Sequence, residues 1–430
     1  MTSTDPPTRV SGDRCPGAIR LHPAADGGLA RMRVPGGLLA AAQVDVLADA
    51  AHRLGHDAIH LTARGNVEIR GLSEAGGAEL GTLLADAGVL PSTTHERVRN
   101  VVVSPTAGLD GEGHTHGLVD VVRALDALLL DTPRAADLSG RFLFGLDDGR
   151  GDVLALAPDV AARWVSPDSA EIVVGGMPVL VAAAQDVPRA LVTAACAFLD
   201  ARDAAGETGW RLAELRSSDD VVTAIVDALV GAGAAGIPDD GFTPAPVHDG
   251  TPVPPGPVGE HAAHLVLPLG EAPATTWAAL ADVARRGDEL VRTTPWRSVL
   301  LAGLDTAERD ALLGRAAELG LVVDPADPAV GASACTGLPG CEKSRADVRG
   351  DLRAALETFR AADLDPTPQD ERLPLHVSGC DRRCGHPRRA HLEAVAGADE
   401  YATGHADGSP ATGAPLPQGQ DDLGSLLAAR

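Results

Sequence analysis

Alternating apolar and polar positions near the start of the chain predict two strands joined by a helix. Residues 29–34, LARMRV, alternate with a period of two, which places Arg31 and Arg33 on one face of a predicted strand. Residues 39–54 have the periodicity of an amphipathic helix, and residues 58–64, AIHLTAR, alternate again as a second strand. Together they predict a small sheet covered by a helix.

The polar faces of these strands carry candidate binding residues. On the second strand Thr62 and Arg64 share a face, and Asn66 follows with the same spacing. Such a face is ordinarily solvated, but the chain has a formal net charge of −24, so arginines grouped on one surface are informative. Because arginine binds carboxylates in a bidentate manner, Arg31, Arg33 and Arg64 are hypothesised to bind a polyanionic ligand, with Thr62 and Asn66 as polar support.

The same order of elements recurs more than 200 residues later. Residues 264–304 again give a strand that ends in a Pro-x-Gly turn, Pro268 to Gly270, then a helix and a second strand that closes at Gly303. The first copy has its Pro-x-Gly turn at residues 35–37. One copy alone is too small to bury a good core, so the two copies are expected to pair into a single domain.

The remaining patterns predict an α+β protein with several units. Proline and glycine concentrate before the second repeat, which is typical of a linker. The predicted division is a disordered tail at 1–13, half-repeat one at 14–75, an α+β domain at 76–236, a linker at 237–260, half-repeat two at 261–330, a metal-binding α+β domain at 331–402 and a mostly disordered tail at 403–430.

Four of the six cysteines lie in the last predicted domain as two close pairs. Cys335 and Cys341 form C-x5-C, and Cys380 and Cys384 form C-x3-C, each in a glycine-rich loop. Two disulfides would need an oxidising compartment, which nothing in the sequence indicates. A structural zinc suits the second pair, although five intervening residues are long for the first. An iron–sulfur cube also takes four thiolates, and glycine lets backbone N–H groups approach its sulfides.

Charge and hydropathy exclude other classes of function. The acidic balance argues against nucleic acid or an anionic membrane as a partner. The N-terminus, MTSTDPPTRV, has no apolar region typical of a signal peptide, and no stretch of about 18 residues is apolar and free of charge. A cytoplasmic protein without a membrane span is therefore expected.

The cysteine pattern resembles the cluster signature of the sulfite and nitrite reductase family. The shared features are C-x5-C, a long spacer and then S-G-C-x3-C. The resemblance implies that the two half-repeats form one ferredoxin-like domain, with two further α+β domains around a central cofactor or substrate site. In that family the last cysteine, here Cys384, also bridges the cluster to a sirohaem iron.

Two further segments carry the resemblance and one departure from it. Arg99-Asn100-Val101 resembles an element whose arginine meets a macrocycle carboxylate, and Arg141 falls at the first basic position of a family strand. Leu143 stands where the reductases usually have a second lysine that serves sulfite or nitrite reduction. Arg99 and Arg141 therefore join the hypothetical carboxylate-binding set, while Leu143 weakens a reductase interpretation.

Within the family, the chain looks most similar to the precorrin-3B synthase branch. That resemblance implies an oxygen-dependent monooxygenase that hydroxylates precorrin-3A at C20 and closes a γ-lactone. It also implies a [4Fe–4S] cluster, a mononuclear non-haem iron and an electron donor such as ferredoxin or a reductase. Two alternatives remain: a sirohaem-dependent ferredoxin nitrite or sulfite reductase, and a non-enzymatic zinc-stabilised binding protein.

No histidine pattern identifies the ligands of a mononuclear iron. Three segments each resemble part of a two-histidine-one-carboxylate set: His114-Thr115-His116, His391-Leu392-Glu393 and His405-Ala406-Asp407. Such doublets arise by chance in a chain with 14 histidines. His386, beside Cys384, is interpreted as a structural or hydrogen-bonding group. The catalytic residues are left unassigned.

Overall fold

Helices and strands are mixed along the whole chain, which confirms the predicted α+β class. The computed structural model describes residues 13, 15–114, 117–237, 253–362, 372–387, 389–405, 416–417 and 420–428. The strands are β1 (His22–Ala24), β2 (Gly27–Met32), β3 (Leu38–Ala40), β4 (Ala58–Leu61), β5 (Val67–Leu72), β6 (Val101–Val103), β7 (Phe144–Asp147), β8 (Val160–Ser166), β9 (Ser169–Val174), β10 (Met177–Ala183), β11 (Gly256–Val258), β12 (Ala262–Val266), β13 (Glu271–Pro273), β14 (Leu290–Thr293), β15 (Ser298–Leu301), β16 (Ala332–Ala334), β17 (Leu375–Ser378), β18 (Leu392–Ala396), β19 (Glu400–His405) and β20 (Leu416–Pro417). The α-helices are α1 (Ala41–Leu54), α2 (Glu74–Asp86), α3 (Val119–Leu130), α4 (Val187–Ala204), α5 (Ser218–Gly231), α6 (Ala274–Ala284), α7 (Thr306–Arg315), α8 (Val348–Ala361) and α9 (Gln420–Ala428).

The described residues divide into two compact units. The first unit takes its residues from 1–20, 31–39 and 84–252, and the second from 21–30, 40–83 and 253–430. The chain passes from one unit to the other within β2 and again within β3.

The first unit is built on a mixed sheet with the order β10-β9-β8-β7-β6. Strands β6, β7 and β8 are parallel, and β8, β9 and β10 are antiparallel. Its core joins α3, α4 and α5 to the sheet around a few large side chains, including Trp164, Phe142 and Phe198. Because aromatic residues are only 2% of the chain, alanine, leucine and valine fill most of the remaining core.

In the second unit the two repeats build sheets with the orders β1-β2-β5-β4-β13 and β11-β12-β15-β14-β3. Strand β13 of the second repeat pairs antiparallel with β4 of the first, with Ala272 opposite Ile59. The N–H of Ala41, at the start of α1, donates to the carbonyl of Glu289 in the second repeat at 2.9 Å. The repeats therefore complete one another, because a strand of one continues the sheet of the other.

A further sheet in the second unit carries the paired cysteines. Its order is β16-β17-β18-β19-β20, and β16, β17 and β18 are parallel. Leu352, Leu356 and Phe359 of α8 pack against it. Because parallel strands end at the same edge of a sheet, the loops after β16 and β17 lie side by side.

Two boundaries differ from the sequence-based predictions. The strand predicted at 58–64 stops at Leu61, because the Thr62 hydroxyl accepts the N–H groups of Arg64 and Asn66 and so forms a turn. The predicted linker at 237–260 ends in strand β11, which pairs with β12; residues 238–252 lie outside the described residues. The tail from 403 was predicted to be mostly disordered with at most a short terminal helix, and α9 is such a helix, with the buried side chains Leu423, Leu426 and Leu427 in the core of the last sheet and α8.

The tail predicted at residues 1–13 lies outside the described residues except for residue 13. Within the part of the chain that the structure describes, no helix combines the length and the apolar character needed to cross a membrane.

Candidate metal centre and binding residues

Two parallel strands bring the cysteine pairs together. Cys335 follows β16 directly, and Cys380 lies two residues after the end of β17. The register places Ala334 opposite Val377, and the Cys335 N–H donates to the Val377 carbonyl at 3.0 Å. The two loops therefore begin at neighbouring points of the same sheet edge.

Glycine at the second loop allows the backbone to contact sulfur. The N–H of Gly379 donates to the Sγ of Cys335 at 3.1 Å, and the Arg345 N–H donates to the Gly379 carbonyl at 2.9 Å. A Cβ at Gly379 would lie only 1.8 Å from the Ser344 Oγ, so a side chain is excluded there. Backbone N–H donors of this kind stabilise negative charge on sulfur.

The four thiols share one electrostatic environment. Burial, followed by the charges of Cys335, Cys380 and Cys341, raises the pKa of the Cys384 thiol. Thiolates gathered in this way need bound positive charge to persist together, and a metal centre supplies it. Among the described residues, no three of the four sulfur atoms lie within 4.8 Å of one another.

An arginine from each repeat holds one of the cysteine loops. Arg70 on β5 donates from Nη2 to the carbonyl of Gly340, beside Cys341, at 3.0 Å. It also binds both carboxylate oxygens of Asp26, at 2.9 and 2.8 Å. Arg297, in the turn between β14 and β15, donates to the carbonyl of Gly385, beside Cys384, at 3.0 Å. Burial lowers the pKa of Arg297 to about 10.

A buried network lies behind the first loop. Arg349, at the start of α8, donates to the carbonyl of Cys335 at 3.3 Å and pairs with the carboxylate of Glu271. Its Nη1 also lies 3.2 Å from the Nδ1 of His60. Burial and the charge of Arg349 lower the pKa of His60 to about 4. The sequence analysis missed Arg349 and Arg70, since neither residue belongs to a motif and their partners are distant in the chain.

Comparison with known proteins connects this arrangement to a family. A sequence model described as the nitrite/sulfite reductase ferredoxin-like half domain matches residues 22–81 and 255–319, which are the two repeats. The two repeats are therefore similar to the half domains of nitrite and sulfite reductases, and this similarity supports an oxidoreductase activity.

Two curated relatives and one solved structure are similar along most of the chain. A precorrin-3B synthase from Sinorhizobium sp. is 26% identical over 417 residues, covering 92% of this chain and 84% of the relative. A ferredoxin–nitrite reductase from Synechococcus elongatus is 26% identical over 400 residues, covering 85% of this chain and 75% of the relative. The structure of the Mycobacterium tuberculosis NirA protein has a TM-score of 0.69 at 20% identity and covers 93% of this chain and 79% of its own, which confirms the nitrite/sulfite reductase-like fold.

Four arginines predicted to bind substrate lie in the first unit, in different environments. Arg99 is buried and forms a bidentate ion pair with Asp126, at 2.6 and 2.7 Å. Arg33 is buried and donates to backbone carbonyls, including that of Arg97 at 3.1 Å. Arg141 is 43% exposed and lies over the Trp210 ring at 5.7 Å. Arg31 is partly exposed.

The other predicted binding residues lie in the second unit. Thr62, Arg64 and Asn66 all belong to the turn between β4 and β5. Asn66 is 3% exposed, and Arg64 is partly exposed. The substrate-binding role of the whole set remains a prediction. It is weakest for Arg99, whose guanidinium already binds a carboxylate of the same chain.

Leu143, for which the resemblance to the reductases predicts a lysine, lies in the core of the first unit. The side chain is 2% exposed and packs in a small apolar cluster with Val102 and Val153. Its N–H donates to the carboxylate of Asp159 at 2.9 Å. The position therefore supplies an apolar core contact and no charge.

Proposed function

We propose that the protein is a precorrin-3B synthase-like monooxygenase of aerobic cobalamin biosynthesis. One oxygen atom of O2 enters precorrin-3A at C20, and the other leaves as water with an electron pair and two protons from an external donor. The acetate of ring A closes the γ-lactone. The donor is a ferredoxin or a reductase, and the reaction takes place in the cytoplasm.

The observation that carries this proposal is the burial of Leu143. A reductase of sulfite or nitrite needs cationic groups beside its small anionic substrate, and an apolar core side chain at this position does not supply one. The precorrin-3B synthase relative, which is 26% identical over 92% of the chain, supports the proposal separately.

A [4Fe–4S] cluster suits the cysteine set better than zinc does. In a tetrahedral zinc site the four sulfurs would lie roughly 3.8 Å apart, from a Zn–S bond of about 2.3 Å. Because no three of the four described sulfur atoms lie within 4.8 Å of one another, and a backbone N–H is directed at one of them, the set suits a larger centre with one iron for each thiolate. Cys335, Cys341, Cys380 and Cys384 would hold it, and when bound it would supply single electrons.

The alternative is a sirohaem-dependent ferredoxin nitrite or sulfite reductase. It is favoured by the ferredoxin–nitrite reductase relative, which matches 85% of the chain. Cys384 is exposed, and in this alternative it would bridge the cluster to the sirohaem iron.

The test begins with anaerobically purified protein, its absorption spectrum and its content of iron, sulfide and zinc. Broad iron–sulfur absorption without haem bands is expected, with more iron than the cube requires. The protein is then given precorrin-3A, a reductant and ¹⁸O2, and the product is expected to gain one labelled oxygen. Cys384→Ser is expected to lose the cluster and the activity together. Sirohaem bands with nitrite or sulfite turnover would establish the alternative, and colourless zinc protein would exclude both.

A further inference from the structure

Three arginines of the second unit contact the cysteine loops, but their charges are not balanced in the same way. Arg70, Arg349 and Arg297 each donate to a backbone carbonyl of one of these loops. Arg70 binds both carboxylate oxygens of Asp26, and Arg349 pairs with Glu271. Among the residues that the structure describes, no carboxylate oxygen lies within 4.0 Å of the Arg297 guanidinium. Arg297 therefore brings an unbalanced positive charge to its loop.

The surroundings of Arg297 make this charge costly. Burial, followed by the charge of Arg349, lowers the pKa of Arg297 to about 10, and the charge of Glu68 offsets only part of this effect. The guanidinium is still protonated at neutral pH, because its pKa remains well above that pH. A charge held partly out of water needs an opposite charge or hydrogen bonds to compensate for its lost hydration. An anion beside Arg297 would provide that compensation.

Glycines on two sides fix the position of this side chain. Its aliphatic part packs against Gly270, where an added Cβ would lie 2.6 Å from the Arg297 Cδ. Its Nη2 donates to the Gly385 carbonyl at 3.0 Å, and an added Cβ at Gly385 would lie 3.4 Å from the same nitrogen. Gly385 directly follows Cys384. The guanidinium is therefore held beside the loop that carries the last cysteine.

A second polar side chain at this loop carries no charge. The Nε2 of His376 lies 3.1 Å from the Cys384 carbonyl, which only accepts hydrogen bonds, so the imidazole donates. Burial, followed by the charge of Arg297, lowers the pKa of His376 to about 3. Arg382 also acts on Cys384, but its side chain is exposed and its charge is screened by solvent and salt. Among these groups, Arg297 is the cation that water screens least.

We propose that Arg297 is the counter-ion of the metal cluster and raises its reduction potential through its charge. The inference rests on the proposed function only for the presence of a redox-active cluster on the four cysteines. When the external donor passes one electron to such a cluster, the centre gains one negative charge, and no bond forms or breaks. A positive charge in a poorly hydrated environment stabilises the reduced form more than the oxidised form.

A carboxylate of the substrate is the competing partner for Arg297, since arginine binds carboxylates in a bidentate manner. The two partners predict different measurements. An arginine that binds substrate changes the KM for precorrin-3A and leaves the cluster potential of the substrate-free protein unchanged. A counter-ion of the cluster changes that potential when no substrate is present.

The test is a redox titration of anaerobic, full-length protein without substrate, in which electron paramagnetic resonance measures the reduced cluster. In Arg297→Gln the ratio of reduced to oxidised cluster at the wild-type midpoint should fall about fivefold. This fall corresponds to about 40 mV for a one-electron centre. Arg297→Lys keeps the charge and should restore most of the potential. If Arg297→Gln assembles no cluster, Arg297→Gly, which relieves the left-handed conformation, should show the same fall.

The matched control removes a balanced charge pair as a unit. Arg70→Gln combined with Asp26→Asn alters an arginine contact to the loop of Cys341, but it leaves the net charge unchanged. The paired side chains are only 9% and 13% exposed and lie 2.8 Å apart, so their fields largely cancel at the cluster. The double variant should therefore keep the wild-type potential. Iron and sulfide contents establish that each variant holds its cluster.

Three results would overturn the proposal: an unchanged midpoint in Arg297→Gln, an equal fall in Arg297→Lys, or an equal fall in the double variant. An unchanged midpoint with a raised KM for precorrin-3A would assign Arg297 to the substrate instead. Oxygen insertion into precorrin-3A is measured separately. Labelled product with an unchanged midpoint would overturn this inference and leave the proposed function standing. The expected fall in a protein that makes no labelled product would do the reverse.

Discussion

The two repeats share one turn, but they place different residues at its most demanding position. The N–H of Gly65 donates to the Thr62 carbonyl at 3.1 Å, and the N–H of Arg297 donates to the Thr294 carbonyl at 3.2 Å. Gly65 has a φ of 67° and Arg297 a φ of 60°. The same left-handed conformation is thus adopted by glycine in one repeat and by arginine in the other.

Arginine in this conformation costs about 1 kcal/mol that glycine does not. What it gains is reach, because its guanidinium donates to the Gly385 carbonyl in the loop of Cys384. The aliphatic part of the Arg297 side chain packs against Gly270, where an added Cβ would lie 2.6 Å from the Arg297 Cδ. The strained residue is therefore found where the second repeat contacts a cysteine loop.

The first repeat supports the other cysteine loop from a different position. Arg70 lies on β5, at the end of its repeat, and its carbonyl partner is Gly340. Duplication supplied two equivalent scaffolds, but the loops that they support have different spacings, C-x5-C and C-x3-C. The arginine that contacts a cysteine loop therefore lies at a different position in each repeat.

The largest effect is expected at the residue that joins both repeats to α8. Arg349→Ala removes the less exposed of the two arginines that pair with Glu271, together with the contact with His60, at a carboxylate that is only 24% exposed. Loss of one partner from a largely buried pair costs about 3 kcal/mol or more. Urea denaturation of anaerobic protein should show a fall of that size in the free energy of unfolding.

Arg353→Ala is the matched control for this prediction. Arg353 binds the same carboxylate, at 3.1 Å, but it is 46% exposed. Its removal should cost less than about 1 kcal/mol, because water screens the exposed charge. Equal losses in the two variants would show that burial does not distinguish the two arginines.

Acid should weaken the contact that the first repeat makes with this network. The folded-state pKa of His60 is about 4, below the ordinary value near 6.5, so the unfolded state binds more protons between these values. The stabilising contribution is complete above about pH 6.5 and is lost as the pH falls towards 4, by roughly 2–3 kcal/mol. His60→Gln should flatten this part of the stability profile.

Other buried histidines titrate as well, so the informative quantity is the difference between His60→Gln and the wild type across pH 4–7. The matched surface variant is His52→Gln in α1, whose side chain is 69% exposed. A wild-type profile that His60→Gln reproduces at every pH would contradict the assignment.

The sequence was sufficient for features that depend on local pattern. The strand and helix order of the two repeats follows from periods of two and 3.6 residues, and the Pro-x-Gly turns recur at the predicted places. The grouping of Cys335 with Cys341, and of Cys380 with Cys384, could be read from spacing. The ends of the elements were harder to predict. The strand that begins at Ala58 ends before Thr62, because the Thr62 hydroxyl accepts hydrogen bonds from two backbone N–H groups.

Long-range pairing could not be predicted in this way. Arg99 has the local sequence of a ligand-binding arginine, but its guanidinium is bound by Asp126, a residue 27 positions away. Arg349 and His60 are 289 positions apart, and no sequence pattern in either segment predicts that the two side chains are in contact.

The smallest expected effect isolates the strain at the shared turn. Arg297→Ala and Arg297→Gly both remove the hydrogen bond to Gly385, but only glycine also relieves the left-handed conformation. The glycine variant should therefore be more stable than the alanine variant by about 1 kcal/mol.

The converse change is Gly65→Ala in the first repeat. It should cost about 1 kcal/mol or more, because the new Cβ would lie 3.2 Å from the Thr293 carbonyl and the conformation would become strained. Urea denaturation of the three variants measures both differences. If alanine at 297 is as stable as glycine, the turn is not strained in the second repeat, and the difference between the repeats lies only in the contact with Gly385.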